Sequence, residues 1–210
     1  PATREYVWQK LKENYIDKGV DALWFDEAEP EIHPEHFDNL IRYKGRADMV
    51  ALLYPYYYSK MAYDGFKSIG RDDIITLTRC AYFGSQKYAS LVWSGDIRSS
   101  FESLAHQVKA GLNMAMCGIP WWNTDIGGFY GADITSDYFK ELIVRWFQFG
   151  LFSPVMRLHG SRIRHFEPTP GLKEPSGDPN EIWSFGERNF EIIKKILQLR
   201  ENLRPSDERA

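Results

Sequence analysis

The sequence predicts an α/β fold built on a parallel sheet, and two observations carry that prediction. Short apolar runs mostly alternate with amphipathic helical patterns, the order that right-handed β-α crossovers produce. The polar and aromatic clusters sit just after the runs that read as strands, and α/β sheets place active sites beyond strand C-termini. Five strand candidates fit either a doubly wound sheet or part of an eight-stranded barrel. No Gly-rich dinucleotide turn follows any of them, which counts against the doubly wound option.

Thr3 to Lys18 reads as a helix, because Val7, Trp8, Leu11, Tyr15 and Ile16 fall on one face; Thr3 is placed to cap it and Gly19 to end it. Val20 to Phe25 is a buried strand ending at Asp26. Glu27 to Arg46, rich in Glu, His and Pro, reads as a long loop. Tyr56 to Ser68 is a helix stopped by Gly70, Ile74 to Thr78 a β-branched strand, and Leu91 to Trp93 a third strand. Ser99 and Glu102 have capping-box spacing, and Phe101, Leu104, Ala105, Val108 and Leu112 trace the inner face of the helix that follows. Asn113 to Ile119 reads as a fourth strand. Ser136 caps a helix over Asp137 to Phe149, and Ser153 to Leu158 is the fifth strand. Gly171 to Gly177 is loop, Asp178-Pro179 opens a short turn, and Asn189 to Asn202 is the last helix, with Phe190, Ile193, Ile196 and Leu197 inward.

Composition removes several functions. The net charge of −3 gives no basic face for nucleic acid. A hydrophobic fraction of 43% is too high for a disordered chain. No run of about 18 apolar residues and no apolar leader occur, so the expectation is a cytoplasmic protein that does not engage a membrane. Cys80 and Cys117 are too few for a disulfide framework. His33 and His36 flank Glu35 at ligand-like spacing, but with no matching Cys or His cluster they make a poor metal site. The aromatic fraction of 15% suits stacking against a partly apolar ligand.

Four clusters carry the candidate chemistry: Trp24-Phe25-Asp26-Glu27-Ala28-Glu29, Trp93-Ser94-Gly95-Asp96, Trp121-Trp122-Asn123-Thr124-Asp125 and Arg157-Leu158-His159-Gly160; Arg79 ends the second strand. A carboxylate beside an indole can act as acid, base or nucleophile while the ring packs against a sugar, and glycoside hydrolysis requires two carboxylates. Plainer readings stand beside these. Asp96 and Asp125 suit turns or caps, His159 a hydrogen-bonded core histidine, and the tryptophans simple packing. Asp26, at a strand end beside Glu27 and Glu29, is the hardest to explain as a cap. The Tyr54-Pro55-Tyr56-Tyr57-Tyr58 run reads as packing.

Together the chain resembles glycoside hydrolase family 31, the retaining α-glucosidases and α-xylosidases. Trp24 to Glu29 resembles the family's W-x-D-x-x-E nucleophile motif, and Trp93-Ser94-Gly95-Asp96 its acid/base motif. Thr124-Asp125-Ile126-Gly127-Gly128-Phe129, Arg145-Trp146-Phe147-Gln148 and Arg157-Leu158-His159-Gly160 continue the match in order, over roughly Thr3 to Pro205. The resemblance implies a (β/α)8 TIM barrel represented by about strands four to eight, with Asn113 to Ile119 and Ser153 to Leu158 as the last two. It implies Asp26 as nucleophile and Asp96 as acid/base. Arg79, Asp125 and His159 would bind sugar hydroxyls, with Trp24, Trp93 and Phe129 shaping the pocket. The chemistry it implies needs no cofactor and no metal, and its substrate is an oligosaccharide or small α-glycoside.

Two departures refine this. Glu27-Ala28 stands where the family often has Met-Asn. Glu29-Pro30-Glu31 and the Trp121 to Asp125 cluster resemble the α-xylosidase branch. The family's N-terminal β-sandwich, first three barrel strands and C-terminal β-domains have no counterpart, so residues 1–210 are expected to be the C-terminal part of a catalytic barrel. The alternatives are a transglycosylase of the same family and a catalytically incomplete sugar-binding or structural fragment. Open sheet edges in such a piece favour a homo-oligomer.

Overall fold

The computed structural model describes residues 1–29, 40–163 and 179–204. The Pro30-Glu31 part of the xylosidase-like motif, the His33/Glu35/His36 group, the Gly171 to Gly177 loop and Asp178 lie outside the described residues. The chain forms two compact units, Pro1–Trp93 and Ser94–Ala210.

In the first unit, helix α1 spans Ala2–Asn14, and a 3-10 turn at Ile16–Lys18 follows, closed by Gly19 at φ 92°. Thr3 lies inside the helix rather than capping it. Of its predicted face only Trp8 is buried, while Val7, Leu11 and Ile16 pack against the core from the side and Tyr15 is exposed. Strand β1 is Leu23–Phe25. The stretch read as loop contains a small antiparallel hairpin, β2 Ile41–Arg42 with β3 Gly45–Arg46, and a single turn of helix, α2 Ala47–Val50, follows it. Helix α3, Tyr54–Ser68, starts two residues earlier than the periodicity suggests because Pro55 fits a first helical turn. Strands β4, Thr76–Thr78, and β5, Ser90–Trp93, follow.

Strands β1, β4 and β5 pair in parallel, with Trp24 level with Leu77 and Leu77 level with Leu91. The core beneath them joins Trp8, edge-on to Phe66 at 5.1 Å, and Phe25, stacked on Tyr58 at 4.3 Å. Helices α1 and α3 approach so closely that a Cβ on Gly65 would lie 2.1 Å from the Trp8 ring.

In the second unit, helix α4 is Phe101–Met116 and its cap is Ser100, whose side chain accepts from the Ser103 N–H at 3.0 Å. The predicted cap, Ser99, is one residue out because its N–H is committed to the Tyr130 carbonyl at 2.9 Å. Helix α4 also runs into the segment read as the fourth strand. Asn113 to Met116 is helical, and the strand lies further on as β6, Trp122–Asn123. An apolar run rich in Met and Ala has no β-branched residue before Ile119 to turn it away from helix. The inner face differs too: Gln107 is the buried residue of α4, while Phe101, Val108 and Leu112 are exposed. Gly111 lets α4 approach Trp122, whose ring would stand 2.9 Å from a Cβ there.

Strand β7, Asp125–Ile126, pairs in parallel with β8, Arg157–Leu158, which is shorter than the expected Ser153 to Leu158. Between them, helix α5, Asp137–Gly150, is capped by Ser136 as its sequence predicts. Helix α6 is Glu187–Leu203. Trp146, Leu142 and Ile143 of α5 and Ile193 of α6 are buried at the centre of this core. Arg200 of α6 donates to the carbonyls of Gly150, Leu151, Ser153 and Pro154, satisfying groups that the end of α5 leaves without helical partners.

Candidate functional site

The first unit gathers Trp24, Asp26, Arg79 and Trp93. Asp26 is the residue after β1 and Arg79 the residue after β4; the Arg79 N–H bonds the Phe25 carbonyl at 3.3 Å, which sets the two side chains next to each other. The Arg79 guanidinium faces three carboxylates. It donates to Glu29 through both Nε, at 2.6 Å, and Nη2, and stands 3.4 Å from Asp26 Oδ1 and 3.6 Å from Glu27 Oε2. Its pKa is raised, first by the hydrogen bonds to Glu29 and then by the charges of Glu29, Asp26 and Glu27, against the opposing pull of burial.

Asp26 is 45% exposed and accepts the Glu27 N–H at 2.9 Å. Glu27 holds a left-handed backbone at φ 52°, uncommon for a residue with a side chain and found mostly where surrounding structure imposes it. Trp24 is half exposed and Trp93 buried, their rings edge-on at 5.8 Å. The register explains the pairing: Trp93 is two residues beyond Leu91, hence on the same face as Trp24. Burial and the charge of Glu29 push the neighbouring Cys80 thiol up from its ordinary range.

The second unit holds Asp96, Asp125, Phe129 and His159. Asp96 is exposed, in a segment tied down by its backbone: the Ile97 carbonyl accepts from Phe129 at 2.7 Å and Tyr130 at 3.2 Å. Asp125 is fully buried and forms an ion pair with Arg157, its register partner across β7 and β8. Its backbone opens a turn closed by the Gly128 N–H at 2.9 Å. Neither aspartate caps a helix, since Ser100 and Ser136 do. His159 is half buried against the Phe129 ring, centroids 5.6 Å apart, so it is not a residue of the central core.

Three segments are therefore stitched together: 96–99, 125–132 and 157–163. Besides the bonds to Ile97, the Ser161 N–H reaches the Phe129 carbonyl at 2.6 Å and the Ile163 N–H the Ala132 carbonyl at 2.7 Å. Glycines permit this closeness. A Cβ on Gly128, at φ 77°, would fall 2.6 Å from the Ser99 backbone, and one on Gly160 2.6 Å from the Gly128 carbonyl.

Sequence reasoning missed two participants. Glu29 stands out in the sequence as a neighbour of Asp26 and part of a motif, not as a partner of Arg79, yet it is the main one. Arg162 had no signal beyond the glycines around it; it is buried, and donates to the carbonyls of Gly128 at 2.8 Å and Ile126 at 3.3 Å and to Asn180 Oδ1 at 2.8 Å.

Comparison with known proteins points one way. The model of the glycosyl hydrolases family 31 TIM-barrel domain matches residues 1–206. An uncharacterized family 31 glucosidase of Pseudescherichia vulneris is 48% identical over 162 residues, 77% of this chain and 31% of that protein. An α-xylosidase of Saccharolobus solfataricus is 35% identical over 209 residues, 96% of this chain and 26% of that protein. A family 31 α-xylosidase from a soil metagenome, solved with xylose, superposes with a TM-score of 0.89 at 48% identity, over 98% of this chain and 31% of that one. The chain thus spans less than a third of the length of these relatives.

Proposed function

The chain belongs to glycosyl hydrolase family 31, and from that premise we propose that it carries the catalytic residues of a longer retaining α-glycosidase, one that releases a terminal α-linked xylose or glucose. The observation that supports this most is the delivery of charge by successive parallel strands. Asp26 follows β1, Arg79 follows β4, and Asp96 stands three residues beyond β5. Strand ends of this kind are where barrel enzymes collect catalytic groups.

In this reading the Asp26 carboxylate attacks the anomeric carbon, while Asp96 gives its proton to the departing glycosidic oxygen. The sugar is then an ester of Asp26. Asp96, now a carboxylate, takes a proton from water; the water oxygen bonds the anomeric carbon, the ester bond breaks, and two inversions leave the configuration retained. Arg79 stands 3.4 Å from the nucleophile and offsets the neighbouring charge of Glu29, and with Asp125 and His159 it recognises sugar hydroxyls. Trp24 and Phe129 offer ring faces to the sugar's C–H surfaces, and the buried Trp93 shapes the pocket by backing Trp24. The names of the relatives include both α-xylosidases and a glucosidase, which supports xylose and glucose alike as the sugar released.

Azide rescue in the full-length protein tests the roles. Asp96→Ala is expected to keep part of its activity on a glycoside with an acidic phenol and to form an α-glycosyl azide. Asp26→Ala is expected to lose hydrolysis of every substrate and to give the β-azide. Opposite anomers by NMR would reverse the assignment, and two fully active variants would end it.

A further inference from the structure

We propose that Arg162 is a positioning residue that holds Asp125, Phe129 and His159 in their working geometry through the backbone. The inference rests on the glycosidase reading for the meaning of those three residues, but its geometry stands apart from it.

Arg162 is only 3% exposed, and its guanidinium bonds main chain and an amide. Nη1 and Nη2 grip the Gly128 and Ile126 carbonyls, which bracket the Gly127 turn between Asp125 and Phe129. Nε fixes Asn180, whose own amide donates to the Gly160 carbonyl at 3.4 Å, the residue after His159. One side chain therefore ties together the two turns that present the three candidate sugar contacts.

The space it fills is made by absent side chains. A Cβ on Gly160 would lie 2.8 Å from Nη1, and one on Gly127 3.0 Å from Nη2. The plane also lies over the Phe139 ring, 5.0 Å from its centroid. Burial lowers the pKa of Arg162 to about 10, with the charge of Asp125 opposing the shift, so the group stays cationic at neutral pH and its hydrogen bonds are charge-assisted. Lysine keeps the charge but has no planar fork to span several fixed acceptors at once. The backbone bonds between these turns run through Phe129, Ser161 and Ile163, so the clamp adds a hold at the Gly128 and Gly160 carbonyls, where glycine leaves the chain most freedom.

The test uses the full-length protein with Arg162→Lys, Asn180→Ala and each combined with His159→Ala. Hydrogen exchange is the first readout, independent of any activity. Both variants should speed exchange at the Phe129 and Ser161 amides while the amides of α5 keep their protection; unchanged rates at Phe129 and Ser161 would overturn the proposal. The second readout is kinetics on an aryl α-xyloside. Arg162→Lys is expected to lose on the order of 10²-fold in kcat with a smaller change in KM, the size a misplacement of about 1 Å produces. Combined with His159→Ala it should add little, because both act on one arrangement. Full multiplication of the two losses, or wild-type kcat in folded Arg162→Lys, would leave Arg162 a stability residue. If the lysine variant does not fold, Asn180→Ala decides alone, with accelerated exchange supporting the clamp and native exchange overturning it. Failure of the wild type on every α-glycoside would sink the glycosidase reading and leave the exchange result to judge the clamp.

Discussion

The candidate residues of the two units are held by opposite means. In the first unit Asp26 and Glu27 are exposed, and what organises them is a side chain, Arg79, shared among three carboxylates. In the second, Asp125 is buried and the turns around it are joined backbone to backbone, with glycines where any Cβ would collide. The difference teaches that charge organises the first arrangement, whereas the second depends on close backbone approach around buried charges, Asp125 with Arg157 and Arg162, and so tolerates neither added bulk nor a lost charge.

The comparison is easiest to break at Gly128. Gly128→Ala adds one methyl group, but at φ 77° and 2.6 Å from the Ser99 backbone neither partner has room to yield. Left-handed strain of about 1–2 kcal/mol and overpacking of about 1–3 kcal/mol should together lower Tm by several degrees and remove most activity. Thermal unfolding that matches wild type would show that the stitched turns are softer than described.

The complementary change is Arg79→Ala in the full-length protein. It should cost little Tm through Asp26 and Glu27, which are partly exposed, and at most a few degrees through Glu29, which is more buried and loses its main partner. It should still cut kcat/KM on the order of 10²-fold, about 3 kcal/mol of transition-state stabilisation. A large fall in Tm with kinetics close to wild type would make Arg79 structural and erase the contrast. Glu29→Gln sharpens the same point: Arg79 loses its main anchor while keeping Asp26 and Glu27, and a loss of about 10-fold is expected. Equal activity would mean that Asp26 and Glu27 suffice to hold the guanidinium.

How far the sequence anticipates this follows the same division. Helices α3, α5 and α6 and strands β1, β4 and β5 are legible from apolar periodicity, and Ser136 from its position before an amphipathic run. Asp26 and Arg79 are legible because a charged residue ending an apolar strand is conspicuous. The backbone-held unit is harder. With two adjacent serines, local spacing favours Ser99 as the cap, whereas a long-range bond to Tyr130 hands the role to Ser100. The Asn113 to Ile119 run is short and apolar, a pattern shared by buried strands and helix ends. Arg162 acts on carbonyls, which every residue carries, so no partner residue type betrays it.

The smallest effect concerns the two thiols. Cys117 is exposed, whereas Cys80 is half buried beside Glu29 with its thiol pushed up. Because the thiolate is the reactive form, a maleimide at neutral pH should label Cys117 several-fold faster than Cys80, and raising the pH should narrow the gap. Faster labelling of Cys80 would show that the Arg79 cation outweighs Glu29 and burial.

Arg200 sets a limit on how this polypeptide can be shortened. Its guanidinium gathers four carbonyls from Gly150 to Pro154, the segment that leads from α5 towards Arg157 and His159. A stop codon placed before it would free those carbonyls together and remove the last turn of α6, so expression boundaries and circular-permutation sites belong beyond residue 200 or well outside this helix. Trypsin offers a direct map: cleavage after Arg200 should lag behind cleavage at more accessible basic residues, and become fast only once the second unit opens.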